Sequence, residues 1–165
     1  MKRTILPRAI LAIILLALPA AADAPTNPPQ YAQFLNDSDT ITDNFTHLQW
    51  DRRAVISGVG RSAQWGDGVA ICPTLASFKP LSNGRLPTIK ELLTLLDEQP
   101  HDEYEPPGAV VPKMIDQLAF DGTPVDLPYW SSTPAGGGMY WTLSFRTGAM
   151  QALPVAGPAH VRCVR

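Results

Sequence analysis

The chain has 165 residues, with 13 Lys and Arg against 15 Asp and Glu, a formal net charge of −2, and 45% hydrophobic residues. That balance excludes a general nucleic-acid binder, which neutralises phosphates with a basic surface, and a bulk binder of anionic membranes. The length suits one domain built on one core.

The first segment is set apart from that domain. Met1-Lys2-Arg3 precedes an apolar run from Thr4 to Leu18, followed by Pro19-Ala20-Ala21-Ala22. A charged start, an apolar stretch and a small-residue end predict a secretory signal peptide over residues 1–22. The run is too short for a membrane span, and Pro7, Arg8 and Pro19 interrupt it. No later apolar stretch approaches twenty residues, so no membrane span is expected after cleavage. Cleavage after Ala22 leaves 165 − 22 = 143 residues, and losing Lys2, Arg3 and Arg8 takes the net charge from −2 to −5. The expected location is secreted or periplasmic.

Cys72 and Cys163 are the two cysteines, 91 positions apart. An even count in an exported chain favours a disulfide. The alternative is a pair of free thiols for metal or redox work. The sequence has no Cys-x-x-Cys and no neighbouring His/Cys cluster to favour it.

In chain order, residues 23–39 read as a flexible proline-rich lead, to about Gln30, and an entry segment, ahead of a domain over 40–165. Thr40-Ile41-Thr42-Asp43 and Thr46-His47-Leu48-Gln49-Trp50 read as short strands around an Asn/Asp turn. Trp65, Val69 and Cys72 fall on one face of a short helix. Thr88-x-x-Glu91 is a capping box opening a second helix, with Leu92, Leu95 and Leu96 as its apolar face. Gln99 to Gly108 reads as an acidic, proline-rich loop, and Val110 to Phe120 as a short helix. Tyr129 to Thr133 and Met139 to Arg146 read as strands around Gly136-Gly137-Gly138. Gly148 turns the chain into Met150 to Val155, and Val161 to Arg165 ends it as a strand. Early helices and a hairpin-rich tail predict an α+β fold with an antiparallel sheet.

These motifs in this order carry a resemblance: Thr42-Asp43-Asn44 with Leu48-x-Trp50, Trp65 with Cys72, Arg85-Leu86-Pro87-Thr88 with Glu91-Leu92, Tyr129-Trp130-Ser131-Ser132-Thr133, Trp141 with Phe145 and Gly148, and Val161-Arg162-Cys163-Val164-Arg165. Over about Thr40 to Arg165 the chain resembles the C-terminal domain family of the Legionella collagen-like adhesin, a bacterial domain of unknown function. That family is similar to a wider group with a C-type-lectin-like fold, which includes the formylglycine-generating sulfatase modifiers. The resemblance implies a C-type-lectin-like domain of two helices on a small twisted antiparallel sheet, its termini brought together, in exported domains used for recognition at surfaces. With the bridge favoured by the cysteine count, the expected fold is disulfide-closed. The founding adhesin is associated with sulfated polysaccharides, a role that a mature charge of −5 opposes here. Two departures stand out. The usual Thr-Gly-Leu is Thr46-His47-Leu48, and the tryptophan usual before Arg-Leu-Pro-Thr is Gly84.

Candidate ligand-binding residues are Trp130, Ser131 and Ser132, which combine an aromatic face with hydroxyls. Their place in a framework motif makes core packing the first reading, and Trp141 is read the same way. Trp50 and Trp65 are read as packing residues. Arg85, Arg162 and Arg165 are candidates for an anionic ligand. Equally, Arg85 pairs with a helix carboxylate and the C-terminal arginines decorate an edge strand. Asp102, Glu103 and Glu105, with Asp97 and Glu98, have the oxygen ligands calcium takes, but a solvated loop is the plainer reading. His47, His101 and His160 are scattered, and no nucleophile elbow, phosphate loop or dinucleotide fingerprint is present. No catalytic residue, metal or cofactor is assigned. The expected function is non-catalytic recognition of a surface carbohydrate or partner protein. The alternatives are a divergent sulfatase-modifier-like enzyme using a reduced Cys72 or Cys163, and a structural envelope component.

Overall fold

A computed structural model describes residues 30–31, 39–53, 62–79, 83–97, 100–105, 108–120 and 122–165. The expected signal peptide lies outside the described residues, as does most of the proline-rich lead. Where the lead is described, it is anchored. Tyr31 is buried, bridges Asp43 and sets its ring edge-on to Phe120 at 5.1 Å, while Gln30 Nε2 donates to the carbonyl of Thr94.

β1 (Thr40–Thr42) and β2 (Gln49–Asp51) pair antiparallel with Ile41 opposite Trp50, and both side chains are buried. Asp43 closes the turn by accepting from the backbone N–H of Phe45 and Thr46. That local bonding is why Asp suits a turn. His47, two residues before β2, sits at φ 58°, the left-handed region where a glycine avoids strain. The family's usual glycine at this place has a steric reason.

α1 (Trp65–Ile71) begins after Gln64, whose N–H donates to Asp67. Its inner face differs from the expected one. Val69 is 44% exposed, and Gly68 is the buried residue. A β-carbon on Gly68 would come within 2.9 Å of Leu86 Cδ2, so the helix approaches the following segment through its missing side chain. Two short 3-10 turns follow, Cys72–Thr74 and Ala76–Phe78. α2 (Ile89–Leu93) carries the expected capping box. Thr88 Oγ1 accepts from the Glu91 N–H at 3.2 Å, and Glu91 accepts from the Thr88 N–H at 2.7 Å. Leu92 and Leu95 drive into the core.

The next stretch overturns two expectations. Instead of a loop and a helix, β3 (His101–Glu105) and β4 (Ala109–Lys113) form an antiparallel hairpin. Val111 and Lys113 are buried while Val110 is exposed, a period of two that β-branched residues suit. The apolar positions from Met114 to Phe120 belong to turns rather than a helix. Asp116 Oδ1 accepts from the N–H of Leu118 and Ala119, leaving Leu118 exposed.

β5 (Tyr129–Gly136), β6 (Met139–Leu143) and β7 (Met150–Pro154) make a three-stranded antiparallel sheet in that order. The chain is thus α+β, with two two-stranded sheets beside it. The tail, expected as a strand, instead makes isolated bridges, with Val164 held between Trp50 and Arg85. One core cluster gathers Trp50, Leu92, Ile115, Phe120, Tyr129 and Phe145; the other gathers Cys72, Phe78, Leu86, Trp130, Val161 and Cys163. Cys72 and Cys163 are bonded to each other within the second. Among the described residues, no helix is long and apolar enough to cross a membrane.

Candidate functional site

The Tyr-Trp-Ser-Ser-Thr motif works as a joint. The β5–β6 register shifts after Trp130, and Ser131 Oγ fills the irregularity by donating to the Trp141 carbonyl and accepting from the Thr133 N–H. Ser132 N–H donates to the Pro87 carbonyl at 2.7 Å, and Thr133 Oγ1 accepts from the Ile89 N–H at 2.9 Å. The Arg-Leu-Pro-Thr segment is therefore bolted to β5 just where α2 begins. Trp130 is fully buried, and its Nε1 donates to the Ala63 carbonyl. Trp130 and Ser131 face the interior, whereas Ser132 and Trp141 reach partial exposure and Arg85 is exposed.

That joint forms one wall of an open cleft of about 350 Å³. Trp65, Val69 and Pro73 make the α1 side, Gly84, Arg85 and Leu86 the opposite side, and Ser132 one end. The surface is mostly apolar with a polar rim. Trp65 is held rigidly: its ring stacks on Tyr140 at 4.0 Å with an interplanar angle of 21°, and its Nε1 donates to the Ser131 carbonyl at 3.0 Å. At the rim, Arg85 grips Glu91 through two hydrogen bonds of 2.8 and 2.7 Å. The guanidinium, first through that hydrogen bond, holds the Glu91 carboxyl below its usual range, and Glu91 raises Arg85 in turn. The Arg85 side chain remains 47% exposed. A planar, fixed guanidinium beside an apolar floor can orient a ligand that has both an apolar face and oxygen acceptors.

The other candidates fall elsewhere. Arg162, expected at an edge strand, is fully buried, because the tail runs inside the fold. It donates to the carbonyls of Asp51 and Arg52 and to Thr123 Oγ1, with Phe120 4.6 Å from the guanidinium carbon. Arg165 donates to the Phe78 carbonyl and to Gln49 Oε1. Asp102, Glu103 and Glu105 lie on β3 rather than in a loop. Among the described residues, no group of three or more His, Cys, Asp or Glu is placed to hold a metal ion. His160 shares a 2.7 Å hydrogen bond with Asp126, away from the cleft-lining residues. Both cysteines are consumed by the bridge.

Sequence reasoning found Arg85 and Ser132 but missed Val69, Pro73 and Leu86 as cleft residues, and took Trp65 for packing alone. The signal available was Gly68 in the helix, which marks a face whose contact is made by backbone rather than by Val69.

No curated protein matches the chain. The family described as the Lcl C-terminal domain matches residues 39–165. That range spans the Trp-Ser-Ser joint, the capped Arg-Leu-Pro-Thr segment and the bridged Arg-Cys-Val-Arg ending, and the chain belongs to the Lcl C-terminal domain family.

Proposed function

We propose that the protein is an exported, non-catalytic recognition domain that binds a surface saccharide in the cleft beside Trp65. The observation that carries this reading is the pairing of a rigid apolar floor with a fixed polar rim. Trp65, Val69 and Pro73 suit the C–H face of a sugar ring, while Arg85, Glu91 and Ser132 suit its hydroxyls. The charged start and apolar run of residues 1–22 support export, as does a disulfide in a chain with no other cysteine.

A glycan array tests it, using the parent protein beside V69D, which changes an exposed residue. The parent retains a defined set of sugars, and V69D loses at least tenfold in affinity for them. An array without hits sinks the saccharide reading. A second reading, a partner protein's apolar side chain in the same cleft, is favoured by the exposed Val69, Met139 and Val155. It would show as V69D-sensitive capture of a protein by a chain that binds no sugar.

A further inference from the structure

The three-stranded sheet has one covered edge and one open edge. On the β5 side, Tyr129 bridges His160 and the Ser132 N–H is taken by Pro87. Among the described residues, β7 has no strand beyond it. Which of its backbone groups point outward follows from the ladder. The Val155 N–H donates to the Gly138 carbonyl, and the Ser144 N–H donates to the Ala149 carbonyl. These two pairs lie at opposite ends of the β6–β7 register, an even number of residues apart. Alternation then makes Tyr140–Leu153 and Thr142–Gln151 the bonded pairs between them. Met150 and Ala152 therefore turn their N–H and C=O groups away from β6. Pro154 also faces outward, but its nitrogen has no hydrogen and its carbonyl is engaged by the Gly157 N–H.

An open edge is normally guarded by charge, a bulge or proline. The strand reads Met-Gln-Ala-Leu-Pro and carries no charge, so only its end is guarded. We propose that β7 pairs antiparallel with β7 of a second copy of this chain, across a twofold axis through Gln151. In that register Met150 exchanges hydrogen bonds with Ala152 of the second copy, and Ala152 with Met150 of the second copy. The contact is self-complementary and closes on itself. It sets no like charges opposite one another, because Met150 to Pro154 carry none. The exposed Met150 packs beside Ala152 of the second copy and loses its exposure. Each sheet continues into the other, and the cleft at Trp65 remains free on each subunit.

Sedimentation of the protein over a roughly hundredfold dilution series reads the equilibrium. The parent moves from monomer to dimer as concentration rises. Q151K places two ammonium groups face to face at the axis while leaving β6 pairing intact, and shifts the protein to monomer. A152P removes one outward N–H and does the same, and both variants melt with the parent at dilutions where the parent is itself monomeric. A parent that stays monomeric throughout overturns the proposal. So does a dimer that Q151K leaves unaltered, since its contact then lies elsewhere.

Discussion

Gly84 lies directly against Phe78: a β-carbon on Gly84 would fall 2.4 Å from Phe78 Cδ2 and 2.3 Å from the carbonyl oxygen of Cys72. The ring fills the space that a large residue at position 84 would need, and it is fully buried there. The Cys72 carbonyl starts a 3-10 turn and accepts from Leu75, so it has little freedom to retreat. Gly84→Ala is expected to cost about 1–3 kcal/mol through this overpacking, read by urea unfolding. An unchanged midpoint would show that the junction is looser than its contacts imply.

His47 gives the opposite sign. At φ 58° a side chain carries a steric penalty that glycine avoids, partly offset by the greater freedom of glycine in the unfolded chain. His47→Gly is expected to stabilise by about 0.5–1 kcal/mol. A loss of stability would mean that the imidazole makes a contact worth more than the strain.

The disulfide joins positions 91 residues apart, so it removes much of the unfolded chain's freedom. Replacing both cysteines with serine is expected to lower stability by roughly 4–5 kcal/mol on the loop-entropy view. The melting temperature of the parent should fall comparably when reductant is added under unfolding conditions. Equal melting with and without the bridge would contradict its role.

Asp51 makes stability depend on pH. Burial pushes its carboxyl up to about 6, against the favourable pull of Arg162 and the hydroxyl of Ser77. A folded value above the unfolded one means that the protonated side chain is the form the fold prefers. Its contribution is fully present below the unfolded value, near 4, and is lost as pH rises through about 6. Asp51→Asn should flatten that part of the stability profile between pH 4 and 7. A profile of the same slope in the variant would place the titration elsewhere.

The sequence disclosed those elements whose signals are local. Thr88 and Glu91 cap their helix because both partners of the box lie within one turn, and the β5–β7 hairpins follow from alternation around glycine turns. The β3–β4 hairpin escaped because acidic residues and prolines resemble a loop until Val110, Val111 and Pro112 find their partners across the strand. Arg162 escaped for a related reason. A charged residue near a terminus reads as surface, and only the threading of the tail beside Asp51 and Thr123 supplies the acceptors that let it be buried. The cleft was half visible, through Arg85 and Ser132. Its floor depends on Gly68 bringing α1 against Leu86, a long-range contact that helical periodicity does not encode.

Binding at the cleft is tested most directly by following the indole N–H of Trp65 in a two-dimensional nitrogen–proton spectrum as an array-identified saccharide is added. That proton is tied to the Ser131 carbonyl at the cleft wall. The expected result is a saturable shift of this resonance together with those of Arg85 and Ser132, absent in V69D. Shifts confined to other surfaces, with the Trp65 indole unmoved at saturation, would contradict recognition at this cleft.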